Sequence, residues 1–298
     1  MLNLELITEL LKNDGGRFQV SSLEKAYTFC SKLTKSHYEN FPVASILIAK
    51  EYRKYIYSIY AFARLADDIA DENIDGLNKI ESLHFLEENI SVENKSNPVF
   101  WALQDTIKKI KLDKQLLIDL LIAFKSDIEF KSYDSIDELL AYCSKSANPV
   151  GRIVLRVFND DIKKNVNLSD SICSALQLTN FWQDLPRDLV NGRNYIPNNL
   201  LEKYGLSEKD LLNLQSYEEI NQCLDELFKI TFDLFDEGSL LIQQVKNRRL
   251  RFELKLTILG GLEILKQCNE MKHRLLVERP KLEKKDYINL VYKAIKWK

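Results

Sequence analysis

The chain has 298 residues, of which 45% are hydrophobic and 29% charged. This profile is typical of a soluble globular protein and excludes a disordered or fibrous one. Lysine and arginine (42) nearly balance aspartate and glutamate (44), and the formal net charge of −2 excludes attraction of the whole chain to nucleic acid.

The first sixteen residues, "MLNLELITELLKNDGG", carry acids and lack the basic start and apolar middle of a signal peptide. No apolar run approaches the ~18 residues of a membrane span. We therefore expect a cytoplasmic protein.

After the N-terminal residues, the apolar residues show a helical periodicity that continues through most of the chain. Glycine (9) and proline (6) are scarce, and apolar residues recur at three- and four-residue spacing, as they do along 218–245. No alternating strand pattern and no polar interdomain linker is present. We predict an all-α protein of about ten helices, folded as a single domain over 1–298. Turn-forming residues separate the helices at 73–76, 93–98, 130–137, 159–167 and 191–199.

A first candidate site lies in "YAFARLADDIAD" (60–71). Its four members share one helix face at spacings of four, three and four, with Asp68 beside them. The other faces are apolar, whereas a solvated face would be broad and mixed in sign. The pattern therefore predicts burial in a helical bundle. The four members of this first stripe are Tyr60, Arg64, Asp67 and Asp71.

A second stripe lies in "QLTNFWQDLPRD" (177–188), at spacings of three, four and four. The preceding turns, 171–183, hold no charge. Because each helix is apolar apart from its acidic pair, we predict that the two stripes face each other across a cavity. The members of the second stripe are Gln177, Asn180, Asp184 and Asp188.

Acidic pairs inside a bundle need positive partners, because unpaired buried carboxylates repel each other and cost several kcal/mol. Oxygen donors at i and i+4 suit Mg²⁺, which usually binds together with substrate phosphates. Without ions, mutual repulsion should raise the aspartate pKa values. For either stripe taken alone, a purely structural polar network is the alternative.

Cysteine and histidine do not suggest another metal site. The five cysteines are scattered and never form CxxC, which favours reduced, buried thiols. The three histidines lie far apart, at 37, 84 and 273, and this makes a histidine-based zinc site improbable.

Taken together, the two stripes resemble the squalene and phytoene synthases, the head-to-head prenyl synthases. The resemblance rests on "DDIAD" (67–71), "QLTNFWQDLPRD" (177–188) and "GRNYIP" (192–197), and it runs from about Ser36 to Pro197. It implies an isoprenoid synthase-type helical bundle with a central channel. In that family two aspartate-rich motifs hold Mg²⁺, or alternatively Mn²⁺, and the substrate diphosphate.

The resemblance also implies roles for individual residues. The metal ligands would be Asp67, Asp71, Asn180, Asp184 and Asp188. The residues acting at the diphosphate during catalysis would be Tyr60, Arg64 and Asp68. The substrate-binding residues would be Gly151, where the isoprenoid chain passes close to a helix, Gln177, Arg193 and Tyr195.

Within the family, "SHYENFPVAS" (36–45) and "NPVGR" (148–152) are similar to the hydroxysqualene synthase branch of bacterial hopanoid pathways. This implies a carbon–oxygen lyase, in a family that includes prenyl transferases, that converts presqualene diphosphate and water to hydroxysqualene and diphosphate without NADPH. The resemblance assigns no role to His37. The product is lipophilic, so contact with the inner membrane is expected, although no amphipathic basic helix stands out in the sequence.

Two residues depart from the family pattern. Arg187 stands where many members carry an acid before the final aspartate. Pro186 removes a helical hydrogen bond, which puts the i,i+4 geometry of Asp184 and Asp188 in question.

Three alternatives stay open. A squalene- or phytoene-type synthase that condenses two prenyl diphosphates is the nearest. A non-catalytic helical assembly protein of the same fold belongs to a different class and would not need intact acidic motifs. A helical scaffold without a diphosphate site would bind no ligand in a magnesium-dependent manner.

Overall fold

The computed structural model describes residues 2, 4–36, 50–72 and 76–297. Throughout these ranges the regular structure is helical and contains no strand, which confirms the predicted all-α class. Residues 37–45 of the "SHYENFPVAS" stretch, with His37, lie outside the described residues. In the same ranges no helix is long and apolar enough to cross a bilayer.

The described residues form fifteen α-helices where about ten were predicted, because several short helices accompany the long ones. Two 3₁₀ segments, Gly16–Phe18 and Lys272–Leu276, accompany them. The α-helices are α1 (Leu4–Leu10), α2 (Leu23–Ser36), α3 (Lys50–Asp71), α4 (Lys79–Asn89), α5 (Pro98–Ile110), α6 (Gln115–Ile128), α7 (Ile136–Ser146), α8 (Asn148–Val157), α9 (Lys163–Val190), α10 (Asn198–Lys203), α11 (Glu208–Leu212), α12 (Tyr217–Ser239), α13 (Leu241–Gln244), α14 (Arg248–Met271) and α15 (Lys284–Lys296).

The chain divides into two compact units. One comprises Met1–Glu129 and Arg152–Asp161, and the other comprises Phe130–Gly151 and Ile162–Lys298. The chain passes from one unit to the other at 129/130, 151/152 and 161/162, and the second of these points lies within α8. The single-domain expectation for 1–298 stays a prediction.

In the first unit, α3 packs against α2, α4, α5 and α6. Its apolar faces enter the core, where Phe62, Leu65 and Ile69 are fully buried. Helix α5 begins at a proline, whose fixed φ suits the first helical position. The preceding Asn97 caps this end by accepting a hydrogen bond from the Val99 N–H (3.1 Å), and its own amide donates to the Leu10 carbonyl (2.8 Å). The cap thereby ties α1 to α5.

In the second unit, α9 is the central helix and packs against α7, α12 and α14. A β-carbon at Gly238 of α12 would lie 2.5 Å from Cγ1 of Ile172, so glycine permits this close helix contact. The indole of Trp182 donates to Thr231 Oγ1 (3.0 Å). Helix α9 continues through Pro186 as far as Val190, so Asp184 and Asp188 belong to one helix despite the proline.

The five cysteines, all in the described ranges, are free thiols. Four are buried, and burial raises the pKa of Cys30, Cys143, Cys223 and Cys268 to about 12. Cys173 is half-buried. The prediction of reduced, buried thiols is therefore confirmed for four of them.

Candidate active site

The first stripe forms the less buried face of α3. Tyr60, Arg64 and Asp67 are half-buried, and Asp71 is exposed. The residues on the other faces of the same turns are almost all in the core, as the pattern predicted. The prediction of burial is wrong for Asp71, because α3 ends at this residue.

The carboxylate of Asp68 is the buried member of this group, with 1% of the residue exposed. It accepts hydrogen bonds from Arg64 Nη2 at 2.6 Å and Nε at 3.1 Å, and from the Leu2 N–H at 2.8 Å. A second contact joins Arg64 Nη1 to Asp67 Oδ2 at 3.3 Å. Residues four apart share a helix face, and the two-point bond fixes the plane of the guanidinium. Asp68 thus orients Arg64.

The carboxyl of Asp67 is held in a strongly acidic neighbourhood. Burial and then the charge of Asp71 raise its pKa to about 6, against the opposing effect of Arg64. Asp68 and Asp127 of α6 raise it further. A raised pKa was predicted for the aspartates from their mutual repulsion. At Asp67 the pKa is raised, but burial contributes more to the shift than repulsion does. Sequence reasoning missed Asp127, because its proximity to Asp67 comes from the packing of α6 on α3.

The second stripe is likewise the less buried face of its helix. Gln177, Asn180, Asp184 and Asp188 are half-buried, whereas Leu178, Phe181, Trp182 and Leu185 are buried. Burial and the charge of Asp184 raise the pKa of Asp188 to about 6, and Arg193 and Arg187 act in the opposite direction. Arg187, the departure from the family pattern, is exposed.

Arg279 is a site residue that the sequence did not indicate. Its guanidinium forms an ion pair with Asp184, through Nε to Oδ1 and through Nη2 to Oδ2 at 3.4 Å. The next residue, Pro280, accepts a hydrogen bond through its carbonyl from Gln183 Nε2 (2.8 Å). These contacts join the segment before α15 to the second aspartate motif. Nothing in the sequence pointed to Arg279 as a partner of Asp184 except that this arginine precedes a proline.

The segment after the second motif is anchored by aromatic stacking. Gly192 adopts a positive φ of 72°, and the Arg193 N–H donates to the Asp188 carbonyl at 2.8 Å. Tyr195 is buried and stacks on Phe181, with ring centroids 3.8 Å apart and planes 13° apart. Tyr133 also stacks on Tyr195, at 6.2 Å. The Tyr195 ring therefore fixes this segment, and its substrate-binding role stays a prediction.

Close packing between α8 and α9 explains why position 151 is a glycine. A β-carbon there would lie 2.3 Å from Ser169 Oγ and 2.6 Å from Cys173 Sγ, both on α9. These distances are below any normal contact, so a larger residue would force the Ser169 and Cys173 side chains, or the helices that carry them, to shift. The close approach of α8 to α9 is enough to explain a glycine at position 151. The contact of Gly151 with an isoprenoid chain stays a prediction.

The residues of the two stripes fit magnesium by their chemistry. Each stripe offers two carboxylates one helical turn apart, and Asp67 and Asp188 have raised pKa values that a bound cation would lower. In the described part of the chain, no three histidine, cysteine, aspartate or glutamate side chains already converge as metal ligands.

Comparison with known proteins identifies the family. The squalene/phytoene synthase model matches residues 34–286. Hydroxysqualene synthases from Zymomonas mobilis and Rhodopseudomonas palustris are each 35% identical to this chain; the first match covers 86% of both chains, and the second covers 72% of this chain and 74% of its relative. The chain therefore belongs to the squalene/phytoene synthase family and is an enzyme of isoprenoid biosynthesis that processes prenyl diphosphates.

Solved structures agree with this assignment. The crystal structure of squalene synthase HpnC from Alicyclobacillus acidocaldarius superimposes with a TM-score of 0.79 at 36% identity, over 84% of this chain and 95% of that one. A dehydrosqualene synthase matches with a TM-score of 0.78 at 21% identity, over 92% and 97% of the two chains, which shows a shared fold. The predicted isoprenoid synthase-type fold is confirmed.

Proposed function

We propose that this protein is a hydroxysqualene synthase, which converts presqualene diphosphate and water to hydroxysqualene and diphosphate. The observation that carries the proposal is the pair of aspartate stripes on α3 and α9, in which the half-buried Asp67 and Asp188 have raised pKa values. Such acids need cations, and a prenyl diphosphate with Mg²⁺ supplies the matching chemistry. The hydroxysqualene synthases among the relatives support water as the second substrate.

When bound, Mg²⁺, or Mn²⁺ in its place, would supply positive charge that stabilises the departing diphosphate. The residues that would hold it are Asp67, Asp71, Asn180, Asp184 and Asp188.

Arg64 supplies a fixed positive charge to the same diphosphate, and Tyr60 lies one helical turn before it on the same face. The two hydrogen bonds that Arg64 donates to Asp68 keep the guanidinium oriented before substrate arrives, so little reorganisation accompanies the reaction. In the reaction the bond from carbon to the diphosphate oxygen breaks and leaves a cyclopropylcarbinyl cation. Its carbon–carbon bonds rearrange and the three-membered ring opens, the water oxygen bonds to the resulting carbocation of the linear skeleton, and the surplus proton leaves with diphosphate or solvent. The proposed substrate-binding residues are Gly151, Gln177, Arg193 and Tyr195.

The reaction needs no hydride, so the proposal includes independence from NADPH. It places the enzyme in the cytoplasm, at the inner-membrane surface into which a lipophilic alcohol partitions.

The test is product analysis with the purified full-length chain, presqualene diphosphate and Mg²⁺ in water labelled with heavy oxygen, with and without NADPH. The expected product is hydroxysqualene that carries the label in both arms. Squalene formed in the NADPH arm would favour a squalene synthase, the activity for which the HpnC structure is named. Consumption of two prenyl diphosphates with no turnover of presqualene diphosphate would favour a phytoene-type synthase. A chain that makes no lipid product and binds no diphosphate would support the non-catalytic alternative.

A further inference from the structure

The helix α15 exposes apolar side chains on the side turned away from the protein. Leu290 and Ala294 are buried and form its inner side, in the contact with α14. On the opposite side, Ile288 is 75% exposed and Ile295 is 70% exposed. Val291 and Tyr292 lie between them and are also exposed. This face did not stand out in the sequence, because α15 carries apolar residues on both sides.

These exposed residues form one continuous patch. Positions 288, 291, 292 and 295 follow the i, i+3, i+4, i+7 spacing of a single helix face. We call Ile288, Val291, Tyr292 and Ile295 the outer stripe. With Tyr287, α15 holds five of the fifteen exposed large hydrophobic residues in the described ranges, whereas such residues elsewhere, for example Ile162 and Val190, are scattered. A contiguous apolar face marks an interaction surface, which isolated exposed residues do not.

Positive charge surrounds the outer stripe. Residues 281–297 include five lysines and two acids. Lys284 lies at the start of the helix, next to the outer stripe, and Lys296 lies at its end with Nζ 4.2 Å from the Tyr292 ring centroid. Lysine beside tyrosine and isoleucine is the composition of helices that lie in the plane of a membrane interface.

The helix is held to the protein by its inner side and its ends. The Glu283 N–H donates to Asp286 Oδ2 (2.7 Å), which caps the N-terminus. Lys293 Nζ contacts Glu263 Oε2 of α14 at 3.3 Å, and Lys255 of α14 donates to the Trp297 carbonyl. The outer stripe is therefore presented on an already folded helix.

We propose that the outer stripe of α15 docks on an anionic lipid surface. Apolar burial would supply one part of the binding, and attraction of the lysines to acidic headgroups would supply the other. A second copy of the chain is a poorer occupant, because pairing two outer stripes would bring their lysines close together. The proposal rests on exposure and charge alone and does not depend on the identity of the reaction product.

The test is flotation of the full-length chain with vesicles, in the absence of substrate. Vesicles of mixed phosphatidylglycerol and phosphatidylcholine are compared with vesicles of phosphatidylcholine alone. We expect binding to the anionic vesicles that weakens at high salt. Ile288→Ser with Ile295→Ser should lower the partition coefficient more than tenfold, whereas the matched pair Ile162→Ser with Val190→Ser should leave it unchanged.

A charge pair provides a second, independent test. Lys284→Gln with Lys296→Gln should weaken binding to anionic vesicles by about fivefold per lysine. Lys164→Gln with Lys209→Gln, both exposed elsewhere, should have no such effect. Circular dichroism of every variant establishes that it is folded.

Three results would overturn the proposal: no flotation of the wild-type chain, equal flotation of the outer-stripe and control variants, or self-association without lipid that the Ile288→Ser, Ile295→Ser pair abolishes. The last result would assign the surface to a second copy. Turnover of detergent-dispersed presqualene diphosphate should be unchanged in the outer-stripe variants, so failure of lipid docking and failure of the proposed reaction are distinguishable.

Discussion

The guanidinium of Arg279 forms an ion pair with Asp184, from which it is separated by 95 residues along the chain. Asp188, one helical turn further along α9, has its pKa raised to about 6 by burial and by the charge of Asp184. The two acids of one stripe are thus held differently without metal. Asp184 has a cationic partner from the segment before α15, whereas the carboxyl of Asp188 holds its proton more tightly than an ordinary aspartate does.

A double-mutant cycle measures the first of these relationships. Arg279→Ala, Asp184→Asn and the double variant should show a coupling of about 0.2–1 kcal/mol in the free energy of unfolding without metal, because the pair is partly exposed. Denaturant titration with EDTA gives this value. If Asp184 becomes a metal ligand, the coupling should change when Mg²⁺ and diphosphate are saturating. No coupling in EDTA would show that the ion pair contributes nothing to stability.

Substitution of Asp188 should stabilise the metal-free protein. The ionised carboxylate of Asp188 is unfavourable in the folded state. Asp188→Asn should therefore raise the free energy of unfolding at neutral pH by on the order of 1 kcal/mol, a modest gain because solvent partly screens this half-buried group. Asp184→Asn is the matched control on the same face. It loses the Arg279 ion pair, so we expect it to be neutral or slightly destabilising.

The gain from Asp188→Asn should depend on pH. The folded-state pKa is about 6 and the ordinary value is 3.8, so the folded state binds the proton more tightly than the unfolded state does. This contribution to stability is fully present below the unfolded pKa, near 4, and is lost as pH rises through 6. The advantage of the asparagine variant should accordingly be absent near pH 4 and grow up to about pH 6. A constant difference across this range would contradict the assignment.

Gly151→Ala should destabilise the protein by about 1–3 kcal/mol, because the new methyl group meets Ser169 and Cys173. Truncating both neighbours, by Ser169→Ala and Cys173→Ala, should recover part of the loss. Gly260→Ala is the matched control, since this helical glycine has open space around the added carbon and should gain about 0.5–1 kcal/mol. Chemical denaturation compares the four proteins. Equal effects at 151 and 260 would refute the close-packing explanation.

If the Asp67 carboxylate binds the metal, Asp67→Asn should lower kcat on presqualene diphosphate by on the order of a hundredfold or more. This is the size of effect seen when one contact that stabilises the transition state is lost. The helical circular dichroism should be unchanged. Asp137→Asn, at an exposed position in α7, serves as the control and should retain full turnover. An unchanged rate in Asp67→Asn would remove this residue from the proposed metal site.

The sequence predicted both stripes correctly as faces of helices, because helical periodicity fixes which residues lie on one face. It did not predict which carboxylate would be most buried. Asp68 lay beside the first stripe, yet it is the acid that is enclosed and bound to Arg64. That difference depends on how α3 is rotated within its unit, which local spacing does not determine.

The other features that the sequence did not predict come from contacts between segments that are distant along the chain. The approach of Arg279 to Asp184 and the steric limit at Gly151 arise from tertiary packing and leave no local pattern. The outer stripe was missed for a related reason. Helix α15 is apolar on two sides, and only the packing of Leu290 and Ala294 shows which side is covered.

In the proposed function the aspartates of α3 and those of α9 would bind the same metal and diphosphate. The most direct test is a thermal-shift titration of the wild type, Asp67→Asn, Asp184→Asn and the double variant with Mg²⁺ and inorganic diphosphate. A ligand at about a hundredfold above its Kd stabilises the folded state by about 2.7 kcal/mol. We expect the wild-type Tm to rise by several degrees only when both ligands are present, and either single substitution to abolish the rise as completely as the double one. A full Tm shift in either single variant would contradict a shared site.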